Sequence, residues 1–193
     1  MRSIGAVFAI LLAAQPAFAQ TETPPRRPLE RVVVGYLERI RLFPGNLLVY
    51  AKIDTGARTS SLNARDIKYV ERDGQTFVRF SVTNRDNQTH TFERPVIRRA
   101  RIRDLGRPSQ IRPVIMLGLC IGNIYRFTQV NLSNRAGFNF QLLVGRRFMA
   151  QRILVDPVLQ YTAEPTCPPP NHAGLESGHP PDTGSTPVQE TAK

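Results

Sequence analysis

One acid in this chain is placed to do chemistry. Asp54 follows the run Leu48-Val49-Tyr50-Ala51-Lys52-Ile53 and precedes Thr55-Gly56-Ala57-Arg58. An apolar, β-branched stretch that stops at Asp-Thr-Gly puts a carboxylate on a tight turn at a strand end. Thr55 supplies a hydroxyl beside it, and Gly56 lets the backbone approach a ligand or a second chain closely. A carboxyl fixed at a strand end points one way, and its surroundings tune its protonation. Such a group suits general acid–base work. The same tripeptide also serves ordinary turns, so the rest of the chain must decide between the two.

Other chemistries have few residues to draw on. The histidines are His90, His172 and His179; there is no His-Glu-x-x-His and no Cys-x-x-Cys, so no metal site is expected. A Gly-x-x-x-x-Gly-Lys-Ser/Thr loop is also missing, and no cofactor is predicted. A serine nucleophile would have to rely on His90, and no serine sits in an elbow motif. Cys120 lies inside the apolar run 115–121, a poor setting for a thiolate. Hydrolysis by carboxylates alone needs two that share a site, one protonated and one ionised. A folded domain with one Asp-Thr-Gly can complete that pair only with a twin, and a two-fold axis brings equivalent residues together. Asp182-Thr183-Gly184 repeats the tripeptide, but it follows Pro180-Pro181 without a strand leading into it.

Residues 1–19 read as a secretory leader, with Arg2, an apolar stretch 5–14 and Ala17-Phe18-Ala19 before the cleavage point. The apolar stretch is too short to span a bilayer comfortably, so no stable membrane anchor is expected and the mature chain is expected in the periplasm. Residues 20–31 read as a linker, 32–163 as the folded domain and 164–193 as a disordered tail rich in Pro, Gly, Ser and Thr. Residues 20–163 hold 24 basic and 11 acidic side chains, and 22 of the basic ones are Arg. Arginine favours bidentate contacts with carboxylates and phosphates. Export argues against nucleic acid as the partner; anionic envelope components, acidic peptides or a merely solvated basic surface remain. In an oxidising compartment Cys120 and Cys167 can pair and staple the tail to a strand. Alternatively Cys120 is a buried small hydrophobe.

The elements expected around Asp54 are mostly strands. Residues 32–34 and 47–53 flank the turn Pro44-Gly45-Asn46, and 67–70 and 77–82 flank the hairpin signal Asp73-Gly74. Residues 84–88 form another turn, which could reach over the Asp54 cleft as a flap. Residues 113–121 are almost wholly apolar and therefore internal, followed by a turn and a strand 124–132. Phe138, Phe140, Leu142 and Val144 alternate as a strand; a short helix 146–151 and a strand 153–155 complete the domain. Many short strands with turns between them predict an all-β, closed or sandwiched domain.

With these motifs in view, the chain resembles a bacterial retropepsin-like family whose members often carry the label ATP-dependent zinc protease. The resemblance rests on residues 51–62, from Ala51 to Leu62 around Asp54, and on Arg112-Pro113-Val114-Ile115 and Asn134-Arg135. Leu142-Leu143-Val144-Gly145-Arg146 and Val155-Asp156-Pro157 complete it. It implies a retropepsin-like closed β-barrel with one short C-terminal helix, and a homodimeric aspartic peptidase acting on peptides. Asp54 would be catalytic, supported by Thr55, Gly56 and Ala57, with the Gly-Arg segment packed behind the loop. The family's zinc and ATP labels find no ligands in this sequence. Retroviral members place an acid where this chain has Arg58, and that acid pairs with the Gly-Arg arginine. Arg58 and Arg146 would therefore face each other and either share an internal acid such as Asp156 or bind a substrate carboxylate. A non-catalytic binding module for an anionic envelope polymer is the alternative function.

Overall fold

The structure, a computed structural model, describes residues 30–102, 108–134 and 139–169. The expected leader at 1–19, the expected linker up to residue 29 and the chain from residue 170 lie outside the described residues. Strands β1 (Val32–Phe43) and β2 (Leu47–Ile53) pair antiparallel around the Pro44-Gly45-Asn46 turn. In β2, Leu47, Val49, Ala51 and Ile53 are buried while Leu48, Tyr50 and Lys52 are not. That period of two is what a strand with one face on a core requires.

The remaining strands are β3 (Ser60–Asn63), β4 (Arg65–Arg72), β5 (Gln75–Thr83), β6 (Thr89–Pro95), β7 (Arg98–Ile102), β8 (Gln110–Ile121), β9 (Ile124–Ser133), β10 (Leu142–Val144) and β11 (Ile153–Gln160). A single helix, α1 (Arg146–Met149), lies between the last two. In space β1, β2, β10, β3, β9 and β8 run side by side, and β8 pairs back onto β1 at Arg41–Phe43. The result is a closed six-stranded barrel with one short helix, as a retropepsin-like domain requires. Closure leaves no free edge within the barrel. Its interior is filled by Val34, Ile40, Val49, Leu62, Leu117, Leu132, Val144 and Phe148, among others.

Beyond the barrel, β11 extends the sheet parallel to the start of β1, and β7 pairs with the start of β8. β4, β5 and β6 form a second sheet that lays Val78, Phe80, Val82 and Phe92 into the same core. Asp73 and Gly74 have φ of 50° and 75° in the β4–β5 turn, the left-handed pair that a two-residue hairpin favours.

Three expectations about element length need correction. The helix ends at Met149 rather than residue 151, because Gln151 turns left-handed (φ 67°) to launch β11. The strand expected from Phe138 is confined to Leu142–Val144 among the described residues. There Asn139 gives its carbonyl to Arg85, and Gln141 gives its own to the Asn63 N–H, in place of a ladder. The chain also stays packed past residue 163: Pro165 and Cys167 are buried, and Thr166 N–H donates to the Gly122 carbonyl. Cys167 and Cys120 form a disulfide within a small cluster with Phe43.

Glu38 anchors that strap from inside. It is fully buried, and its carboxylate accepts from Gly35 N (2.6 Å), Thr162 N (3.2 Å), Thr162 Oγ1 (2.8 Å) and Ala163 N (3.1 Å). A buried acid is tolerable only when its oxygens are satisfied this fully. Replacing Glu38 by Ala orphans those donors and is expected to cost about 3 kcal/mol in urea unfolding. A loss under about 1 kcal/mol would contradict this account of the strap.

Candidate functional site

β2 delivers Asp54 to the barrel rim, and the following loop is gripped from behind by the segment 143–147. Asp54 N–H donates to the Val144 carbonyl at 2.9 Å. Arg146 N–H donates to the Ala57 carbonyl (2.8 Å) and Arg147 N–H to the Arg58 carbonyl (3.1 Å). Gly145 N–H donates to Ser60 Oγ at 3.1 Å. At Gly145 the two segments are so close that a Cβ would lie 2.7 Å from the Thr59 carbonyl carbon. Only glycine permits this approach.

The carboxylate itself is oriented by backbone. Asp54 Oδ1 accepts from Gly56 N (3.0 Å) and Ala57 N (3.1 Å), a turn closed by the acid's own side chain. Among the described residues, no donor reaches Oδ2. Asp54 is half-buried, while Thr55 and Gly56 are exposed at the loop tip. On the far side of the loop, Asn131 from β9 donates to the Ser60 carbonyl (2.8 Å) and accepts from Ser61 Oγ (2.9 Å). Both Ser61 and Asn131 are buried, so this polar pair pins β3 where an apolar pair could not hold the loop in register.

In front of Asp54 lies a cleft of about 740 Å³, with Ser61 and Asn131 in its lining. Four guanidinium groups border it: Arg58 from the loop, Arg98 from β7, Arg112 from β8 and Arg147 from α1. Arg98 and Arg147 both donate to Gln129 Oε1, and Arg112 donates to Gln110 Oε1. None of the four has an acid partner among the described residues, where the ion pairs are Arg39–Glu164 and Arg72–Glu93. Four cations, three of them held by neutral acceptors, make the cleft strongly attractive to carboxylates.

Arg146 is not part of this group. It lines a separate depression with Thr55, Met149, Ile153, Leu154 and Val155. Successive helical residues point about 100° apart, so only one of Arg146 and Arg147 can face the cleft. The family resemblance implied Arg146 opposite Arg58; in the structure it is Arg147 that lines the cleft with Arg58. Asp156 accepts from Val158 N–H and bridges neither arginine. At the other end of α1, Arg126 Nη1 donates to the Phe148 carbonyl at 2.8 Å. Burial, reinforced by Arg152 nearby, holds Arg126 below the usual guanidinium range.

The turn at residues 84–88 does not line this cleft: Arg85 stacks 4.2 Å from the Tyr50 ring centroid and donates to the carbonyl of Asn139, which borders a second depression beside Asp54. It is the β7–β8 hairpin that lines the Asp54 cleft, through Arg98, Ala100, Ile102 and Arg112. Among the described residues, no group of three His, Cys, Asp or Glu side chains could hold a metal ion. His90 packs edge-on against Phe92.

A six-stranded barrel whose Asp-Thr-Gly loop is clamped by an apolar-apolar-Gly-Arg segment defines an aspartic-peptidase-like, retropepsin-type fold. Residues 33–166 match the RimB-like family, described as retropepsin-like aspartic endopeptidase RimB. The chain belongs to that family.

It is 35% identical over 115 residues to a Desulfotalea psychrophila protein named "Probable alpha-L-glutamate ligase", covering 58% of this chain and 25% of that one. A Parasynechococcus marenigrum protein of the same name is 33% identical over 132 residues, covering 66% and 28%. The chain thus spans about a quarter of the length of the curated relatives it matches. Among solved structures, a Legionella pneumophila protein of unknown function aligns with a TM-score of 0.59 and 33% identity. That alignment covers 68% of this chain and 98% of the other.

Proposed function

We propose that this chain is an exported aspartic endopeptidase that works as a homodimer and favours acidic peptides. The observation that carries this reading is the Asp54 carboxylate, aimed by two backbone N–H groups at the mouth of a cleft bordered by four arginines. Each copy contributes one Asp54, and the two share a proton because neighbouring carboxylates resist ionising together. The ionised partner takes a proton from a water whose oxygen attacks the scissile carbonyl carbon; the protonated partner donates to the carbonyl oxygen. The C–N bond then breaks as the nitrogen takes up a proton. A carboxylic acid and an amine leave, and the pair returns to its singly protonated state.

The arginines give the preference. A peptide carboxylate entering the cleft gains charge-assisted hydrogen bonds that a neutral residue cannot make. The name of the longer relatives, which refers to α-L-glutamate, fits a domain that handles glutamyl chains; their ligase activity is not carried over to this chain. Replacing Arg58 by Gln is expected to lower kcat/KM on a glutamate-rich peptide about tenfold relative to a neutral peptide. Arg146→Gln, outside the cleft, should change that ratio less than twofold, about the scatter of a remote surface substitution. Equal losses on both peptides for Arg58→Gln would remove the acidic preference.

A second reading is favoured by the abundance of unpaired arginine: a module that binds an anionic envelope polymer without cutting it. Asp54→Asn separates the two, since polymer binding should survive it and hydrolysis should not. The leader, and with it export, is tested by locating the chain in periplasmic and cytoplasmic fractions.

A further inference from the structure

We propose that the chain's own C-terminal segment, through Asp182 and Glu190, docks in the arginine-bordered cleft and competes there with substrate. The inference rests on the cleft's preference for carboxylates argued above, and it adds an occupant that travels with the protein. Arg58, Arg98, Arg112 and Arg147 border one concavity of about 740 Å³, and none of them has an acid partner among the described residues. A concave wall of one sign focuses its field into the cleft.

The complementary charge lies in the same chain. Residues 170–193 hold Glu176, Asp182 and Glu190 with Lys193 as the one Lys or Arg, a formal charge of −2. Asp182 follows Pro180-Pro181, and Glu190 comes three residues after Pro187. Proline fixes φ, which lowers the entropy cost of laying an extended segment into a cleft.

The length of the segment suits the distance. The Cys120–Cys167 bridge fixes where it leaves the domain, and Cys120 lies eight positions along β8 from Arg112. At the rise of a strand that separation is about 27 Å. Glu176 is seven residues past Pro169. Even fully extended, seven residues span only about 25 Å, so Glu176 falls short. Asp182 and Glu190 are 13 and 21 residues past Pro169. Coils of those lengths span roughly 20 and 25 Å, and their extended limits are well beyond the need. A tether matched to its span presents its end at a local concentration on the order of 1 mM.

The test compares the full chain with its D182N/E190Q variant on a glutamate-rich peptide at low salt. Removing both charges should lower KM about tenfold and leave kcat within about twofold, as loss of a competing occupant requires. E176Q, the control too near the bridge to reach, should change KM by less than about twofold. High salt should narrow the difference between the variant and the unaltered chain. A second readout needs no turnover. Cys120 and Cys167 are the chain's two cysteines and are bridged, so a nitroxide attached through Thr183→Cys is the single label. It should broaden the amide signals of residues 57–59 and 98–102, and adding D182N/E190Q should relieve that broadening. An unchanged KM in the variant, or broadening confined to residues outside the cleft, would overturn the proposal. Cleft broadening in a protein that cuts no peptide would sink the hydrolytic reading alone and leave the docked segment standing.

Discussion

Replacing Asp54 by Asn is expected to lower peptide hydrolysis about 1,000-fold while leaving the fold intact. The amide keeps the size of the acid, and its oxygen can still accept the Gly56 and Ala57 N–H bonds that close the turn. It can neither take a proton from water nor share one with a twin, so the change falls on chemistry rather than on the loop. Thermal unfolding should move by no more than a few degrees, since the carboxylate is half-buried at the rim and not in the core. Turnover within tenfold of the unaltered protein would place the reacting group elsewhere.

The second large effect is expected at Gly145. A methyl group there would meet the Thr59 backbone at 2.7 Å from its carbonyl carbon and 2.9 Å from its nitrogen. Backbone cannot swing aside as a side-chain tip can, so Gly145→Ala must push the Asp54 loop away from the segment 143–147. The same displacement strains the Gly145–Ser60, Arg146–Ala57 and Arg147–Arg58 hydrogen bonds. A stability loss of about 2 kcal/mol follows from overpacking of this kind. Activity should drop about 100-fold, because a misplacement approaching 1 Å is enough to spoil a proton-transfer geometry. Chemical denaturation and peptide turnover measure the two effects separately. A fully active Gly145→Ala protein would mean that the loop is not held by this contact.

Much of this site is legible in the sequence because strong local signals agree with the fold. The alternation of β2, the break at Asp54, the Asp73-Gly74 hairpin and the apolar run of β8 each follow from one period or one turn type. The parts that were missed share a physical cause: polar residues placed by tertiary partners. β3 is Ser-Ser-Leu-Asn, which has no strand signature, yet Ser60 and Ser61 are buried because Asn131 and Gly145 satisfy them. β7 carries Arg98, Arg99 and Arg101 and shows no apolar alternation, since one of its faces lines a wet cleft.

The exchange of Arg146 for Arg147 has a different origin. A linear motif aligns residues but does not say which way a four-residue helix points its side chains. Residues 164–167 read as tail by composition; the Arg39–Glu164 ion pair, the Thr166–Gly122 hydrogen bond and the Cys120–Cys167 bridge, next to Thr162 and Ala163 held by Glu38, explain why they pack.

Specific activity followed through dilution tests the central claim most directly. With sedimentation fixing the dimer dissociation constant, hydrolysis of a glutamate-rich peptide per chain should fall in step with the dimer fraction and vanish in the monomer range. Activity per chain that stays constant as the dimer comes apart would contradict a site assembled from two copies of Asp54.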